Sequence, residues 1–426
     1  MNLFPVLILA VCFISGFPIA FSLILCVIPY FLADPYMALE TIIQRLVSNT
    51  ESVSLLAIPF FTTAGAIMNH SGITTRLMAL ADGLVGHMTG GLGHVNVILS
   101  TLMGGVSGSG AADAAMESKL LVPEMTKRGY DLDFSCAITA ASSCITPIIP
   151  PGIGLVIYAC LLELSVGKML CTGYIPGLFL AAGLMIAVHF ISKNKGYAPS
   201  RSERAKGKEL WTLFKAALWA LFLPFGLVLG LRIGMFSATE GGALMCIYSL
   251  IVGLFIYKEM SLRDLPKIIL EATLSTATVM VIMCAANLFS YYLSWERIPY
   301  QLSQFITSAV TNKYVFLLLV NVLFLILGMF LDGTASMIIL APLFAPIAKS
   351  LGIDLLHFGL ILCLNISIGS ITPPFGMYLY VVSSTAKCKI GPIIKAMLPF
   401  IGVLLIVLLL MTYIPGLVTF IPELLF

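Results

Sequence analysis

"SITPPFG" at 370–376 interrupts one of the most apolar parts of a very apolar chain, and "ITPIIPPG" at 145–152 places the same double proline in the other half. Proline fixes φ and lacks the N–H that a helix interior needs, so each stretch breaks a helix where a continuous membrane span is expected. One such kink is ordinary in a membrane helix. Two at matched places require a reason.

The match is numerical. A shift of 223 positions lays Gly105 on Gly328, Gly110 on Gly333, Pro123 on Pro346, Gly129 on Gly352 and Asp131 on Asp354. The same shift lays Pro150 on Pro373, Pro151 on Pro374 and Pro176 on Pro399, without a gap. A constant offset held on Gly, Pro and Asp over about seventy positions indicates an internal repeat.

Composition sets the medium. Of 426 residues, 59% are hydrophobic and 10% charged, with a mean hydropathy of +1.05, which leaves too little polar surface to cover a soluble globule. The chain belongs in a lipid bilayer. A net charge of +3 with basic residues in short loops argues against nucleic acid. The ten cysteines are scattered and show no C-x-x-C spacing, so buried apolar thiols are expected rather than a disulfide framework or a transition-metal site. The N-terminal "MNLFPVLILAVCF" lacks a basic n-region and a small-residue cleavage site, and reads as a first span. No P-loop occurs, and "GVSGSG" does not satisfy G-x-S-x-G, so enzyme chemistry is not expected and no cofactor is implied.

Apolar runs long enough for about 30 Å of hydrocarbon mark the spans. Two close helices are expected at 3–14 and 18–33, an amphipathic stretch at 35–48, and a span at 51–69. Residues 91–126 form two short apolar arms around "GGVSGSGAAD" (104–113), the pattern of a re-entrant hairpin. A broken span at 133–162 and a span at 168–192 complete a first repeat over 1–192. The polar linker 193–208 follows. In the second repeat, 209–426, spans are expected near 210–231, 237–257 and 268–294, then a hairpin at 314–350 with "LDGTAS" (331–336) at its tip. A broken span at 355–386 and a last span near 396–421 close the chain. The fold class is thus an all-α integral membrane protein, two repeats of about five spans plus one hairpin each.

Charge orients the repeats. The linker carries six Lys and Arg and belongs in the cytoplasm by the positive-inside rule, which puts both termini outside and fifteen of the 23 basic residues inside. Five spans separate the two hairpins, so the halves run inverted.

Irregular backbone at membrane depth is tolerated only where it is buried in protein or lines a wet cavity. Two tips and two breaks supply four such places. Freed carbonyls suit a dehydrated Na⁺, and half-helix N-termini suit a carboxylate. Among intramembrane acids, Asp113, Glu117 and Asp332 are functional candidates because charge at depth is expensive; Asp113 and Glu117, four residues apart near a tip, are alternatively hydrated or paired with Lys119. His94 and His189 read as core or interfacial, and Glu240 as part of a helix cap. Valine at Gly110 or Gly369 is expected to abolish uptake and leave the protein folded, since neither position need be tightly packed against lipid.

"LLAIPFFTTAGAIMNHSGI" (55–73), "GGVSGSGAADAA" (104–115), "ITPIIPPGIGLVIY" (145–158), "FSATEGGA" (236–243) and "IGSITPPFG" (368–376) resemble the large membrane subunit of TRAP transporters, the tripartite ATP-independent periplasmic family, over essentially the whole chain. The resemblance implies a multi-pass protein of the bacterial inner membrane that imports an organic acid by Na⁺ symport, in an elevator-type fold. It also implies two partners, a small four-helix membrane subunit and a periplasmic solute-binding protein. One sodium site would use Ser107 and Gly110 with Thr146, Ile149 and Pro150; the other would use Gly328 and Leu331 with Gly369, Thr372 and Phe375. Ser109, Asp332, Thr334 and Pro151 are the candidate substrate contacts. Thr146, Ala66 and Leu331 depart from the residues common in that family, which favours ion ligands drawn from the backbone. The competing readings are an ion-coupled carboxylate importer that needs no binding protein, a membrane enzyme, and a channel, the last disfavoured because opposed hairpins close a site from both sides.

Overall fold

The computed structural model describes residues 4–33, 39–48, 51, 53–301, 304, 312–330 and 333–426, and all regular structure among them is helical. Helices α1 (Phe4–Ile14), α2 (Ile19–Ala33), α3 (Leu39–Ser48) and α4 (Ala57–Asn69) open the chain. Next comes α5 (Ile73–Val85), which carries Arg76 and Asp82, is too short to span, and packs on α6 and α12. It is absent from the span list because two charges in 13 residues hide its apolar face.

The first hairpin is α6 (Gly91–Gly104) and α7 (Gly110–Lys127). At 1.5 Å per residue the 14-residue α6 reaches about 21 Å, short of about 30 Å of hydrocarbon, and α7 packs back against it. The first broken helix is α8 (Leu132–Ser142) and α9 (Ile153–Leu161), with the double proline between them. After α10 (Val166–Cys171) and α11 (Tyr174–Lys195) come three long apolar helices, α12 (Gly207–Arg232), α13 (Ala238–Ile251) and α14 (Leu265–Trp295). Ser237 caps α13 and Glu240 returns a bond to the Ser237 N–H, the reciprocal box that the "SATE" spacing encodes.

The second half repeats the order: hairpin α15 (Lys313–Phe330) and α16 (Gly333–Ser350), broken helix α17 (Leu355–Gly369) and α18 (Met377–Ala386). The bounds of α16 and the start of α17 are those of α7 and α8 displaced by 223 residues. Asp131 and Asp354 stand at equivalent N-caps, but only Asp354 caps with its side chain, accepting from the Leu356 and His357 N–H groups. The expected last span is in fact two helices, α19 (Ile390–Tyr413) and α20 (Gly416–Leu425), because Pro415 follows the end of α19 and restarts the chain as an N-cap.

Six helices among the described residues are long and apolar enough to cross a membrane. Packing interlocks the halves. Each hairpin packs on its own broken helix, α6 and α7 on α8, α15 and α16 on α17; each second arm also reaches the other half, α7 onto α18 and α16 onto α9. Exposed Phe, Leu and Ile side chains cover the outward faces of α12 and α14, as lipid contact requires. All ten cysteines are free, six of them buried.

The linker is tied down. Ser200 and Arg201 donate backbone N–H groups to the Gly86 carbonyl, and Gly90 donates to Tyr197. Tyr130 and Arg128 donate to the carbonyls of Ala198 and Ser200. The residues joining the two halves therefore clasp the outer ends of α5 and the first hairpin.

Candidate functional site

A cavity of about 900 Å³ lies where the two halves meet. Ser109 and Gly110 line it from the first tip, and Gly333 and Thr334 from the second. Pro147 comes from the first break, Ser367 and Ser370 from the approach to the second, and α2 and α14 close the remaining wall. No charged side chain lines it among the described residues. A solute entering it meets hydroxyls, backbone groups and apolar side chains.

The first tip is built against the first break. Ser109 caps α7 by accepting from the Ala112 N–H, which leaves the start of α7 at the cavity wall. Gly108 adopts φ +59°, and a Cβ there would come within 2.5 Å of the Pro151 carbonyl; only glycine allows this approach. At Gly104 a Cβ would meet Ile149 at 2.7 Å and the Thr146 carbonyl at 3.2 Å. The Pro150–Pro151 and Pro373–Pro374 bonds are both cis. Of the first expected ion set, Thr146 and Ile149 stand against the hairpin at Gly104, the Thr146 carbonyl facing it, Gly110 faces the Ser143 carbonyl, and the Ser107 carbonyl faces Gly65 of α4. The Thr146 hydroxyl faces elsewhere, donating to Asp113 Oδ2 at 2.8 Å.

In the second half Gly328 and Gly369 bring two helix backbones together: a Cβ on Gly328 would lie 3.0 Å from the Gly369 Cα. Thr372 Oγ1 donates to the Ile368 carbonyl at 2.7 Å, which leaves its lone pairs for a cation. The Phe375 ring is exposed, so only its backbone can serve the site. Leu331 and Asp332 lie outside the described residues. Ser109 and Thr334 line the cavity; Pro151 does not, and sits behind the tip with its carbonyl toward Gly108.

Two expectations are corrected. Gly110 and Gly369 are tightly packed: a Cβ would stand 2.4 Å from the Tyr378 hydroxyl oxygen at the first and 2.7 Å from the Gly328 Cα at the second. Valine at either position therefore breaks a contact between elements. Asp113 and Glu117 are not paired with Lys119. Both are fully buried, and Glu117 accepts from Ser100 and Ser142 at 3.0 and 3.4 Å, whereas Lys119 is exposed. His94 is buried, 6.3 Å ring to ring from His189.

Tyr378 was not foreseen. It lines the cavity and packs on Gly110, and its N–H closes the second break on the Ser370 carbonyl at 2.9 Å. A cross-half contact of this kind leaves no local sequence signal.

Apolar spans, paired hairpins and paired breaks around one shared cavity define a multi-pass membrane transporter. The family described as the tripartite ATP-independent periplasmic transporter, DctM component, matches residues 6–417, and the chain belongs to it. The large sialic acid permease SiaM of Vibrio cholerae is 36% identical over 412 residues, covering 96% of each chain. The sialic acid permease SiaT of Haemophilus influenzae is 35% identical over 410 residues, 96% of this chain but 66% of that longer one. Among solved structures, the YdaH transporter of Alcanivorax borkumensis superposes with a TM-score of 0.69 over 90% of both chains at 17% identity, a likeness of fold. The chain is a large permease subunit of the inner membrane and not an enzyme.

Proposed function

We propose that this permease imports a small organic acid by Na⁺ symport, receiving it from a periplasmic binding protein and working beside a small four-helix membrane subunit. The observation that carries the reading is the convergence of both tips and both break regions on one cavity that no charged side chain lines among the described residues. An anion entering it needs helix N-termini and a bound cation for its charge, which supports coupling to Na⁺. Ser107, Gly110, Thr146, Ile149 and Pro150 form the first ion set, and Gly328, Leu331, Gly369, Thr372 and Phe375 the second. The halves run inverted, with the termini periplasmic and 193–208 cytoplasmic, and the hairpins and breaks move together as an elevator. Sialic acid, sugar acids, C4-dicarboxylates and keto acids are the substrate classes; the first is named for relatives. The greater length of SiaT, of which this chain matches 66%, leaves room there for a further component.

The test is uptake by proteoliposomes holding all three components, against a panel of organic acids. Initial rates should rise sigmoidally with Na⁺. Rates that follow a proton gradient and ignore Na⁺ would reject the coupling ion. Full uptake by this chain alone would favour an importer without a binding protein.

A further inference from the structure

Behind the first tip lies a polar cluster of which the ion sets use only Thr146. Asn96, Ser100, Asp113, Glu117, Ser142 and Thr146 are all fully buried. The two carboxylates meet hydroxyl groups and no basic side chain: Thr146 Oγ1 reaches Asp113 Oδ2 at 2.8 Å and Ser100 Oγ reaches Glu117 Oε1 at 3.0 Å. Asp113 Oδ1 meets no hydrogen-bond partner among the described residues. Thr146 Oγ1 also stands 3.2 Å from the Ser100 carbonyl oxygen. Carboxylate, hydroxyl and carbonyl oxygens therefore converge beside an unsatisfied carboxylate oxygen. Buried negative charge without a positive partner is costly, and unmatched carboxylate oxygens add to the cost.

The repeat shows that the fold does not require this charge. The 223-residue shift carries Asp113 to Ser336, Glu117 to Leu340, Ser100 to Leu323 and Thr146 to Gly369. The second hairpin packs on its broken helix in the same way without an acid at these places.

We propose that Asp113 holds a further Na⁺ behind the first tip, with the Thr146 hydroxyl and the Ser100 carbonyl completing its inner oxygens, and that the equivalent place in the second half is neutral and binds none. Thr146 then links two ions, its carbonyl turned to the hairpin junction and its hydroxyl to Asp113. The ion neutralises Asp113, while Glu117 stays on its two serine hydroxyls. This inference rests on the sodium reading above, and adds one ion to its two.

The test uses the full chain with its small subunit, purified in detergent without substrate. Thermal unfolding is followed as NaCl replaces choline chloride at constant ionic strength. For the wild type, stability should rise with Na⁺. Asp113→Asn should need about tenfold more Na⁺ for half the rise, because a charged ligand is lost. In choline alone it should melt no lower than the wild type, since it removes an uncompensated buried charge. Thr146→Val keeps the carboxylate and should shift the midpoint about threefold, which carries the test if the asparagine variant does not fold. Midpoints equal to wild type in both variants, or a lower melting point of Asp113→Asn in choline, would overturn the extra site and leave the two-site reading standing. A wild type whose stability ignores Na⁺ altogether would overturn both.

Discussion

The thiol of Cys144 donates to the carbonyl oxygen of Ser367 at 3.1 Å, and the two positions are 223 residues apart. That is the offset that carries one double proline onto the other. The numerical offset thus coincides with a buried contact between the two halves, and the breaks near it contribute Pro147 and Ser370 to a common cavity.

The glycine contacts predict a loss of folding. Gly369→Val forces a branched side chain into the backbone of Gly328, where even a Cβ would approach the Cα to 2.7 Å. Overpacking of this kind costs about 1–3 kcal/mol or more. The variant should yield less monodisperse protein in detergent and a lower melting temperature, with Gly369→Ala intermediate. Wild-type stability in both would mean that the helices separate without cost.

Thr372 predicts a sodium phenotype without a folding one. Its hydroxyl proton is already given to the Ile368 carbonyl, so the oxygen offers lone pairs to an ion at no loss of that bond. Thr372→Ala should raise the Na⁺ needed for half-maximal uptake several-fold, while Thr372→Ser stays near wild type. Equal shifts in both would assign the effect to the methyl group.

Asp131 predicts a small acid-sensitive contribution at the linker. Lys195 Nζ donates to it at 2.5 Å and Tyr197 Oη at 2.8 Å, and these bonds hold its carboxyl below the usual carboxylate range while raising Lys195. A depressed carboxylate stabilises fully above its unfolded pKa of about 3.9 and loses that contribution as pH falls through the lower folded value. The raised Lys195 contribution holds below about pH 10.4 and fades only above it. The Asp131 and Lys195 side chains are 53% and 42% exposed, so screening limits Asp131→Asn to roughly 1 kcal/mol or less. The melting-temperature gap between variant and wild type should be small at neutral pH and close on acidification. A gap that widens in acid would contradict the assignment.

Hydropathy and proline placement determined the all-helical membrane class and the two interruptions at the double prolines. These follow from local rules, since long apolar runs belong in a bilayer and proline cannot continue a helix. The capping box of α13 was equally legible, being a four-residue pattern. Tertiary structure alone decided what those pieces face. Tyr378 on Gly110, Gly328 against Gly369, the burial of Asp113 and Glu117 among hydroxyls, and the clasp of 196–201 over α5 all join residues distant in the chain. No local pattern encodes them. Valine at Gly369 therefore reads in the sequence as a block on uptake that spares the fold, and in the structure as a clash, because the surface that excludes it belongs to another helix.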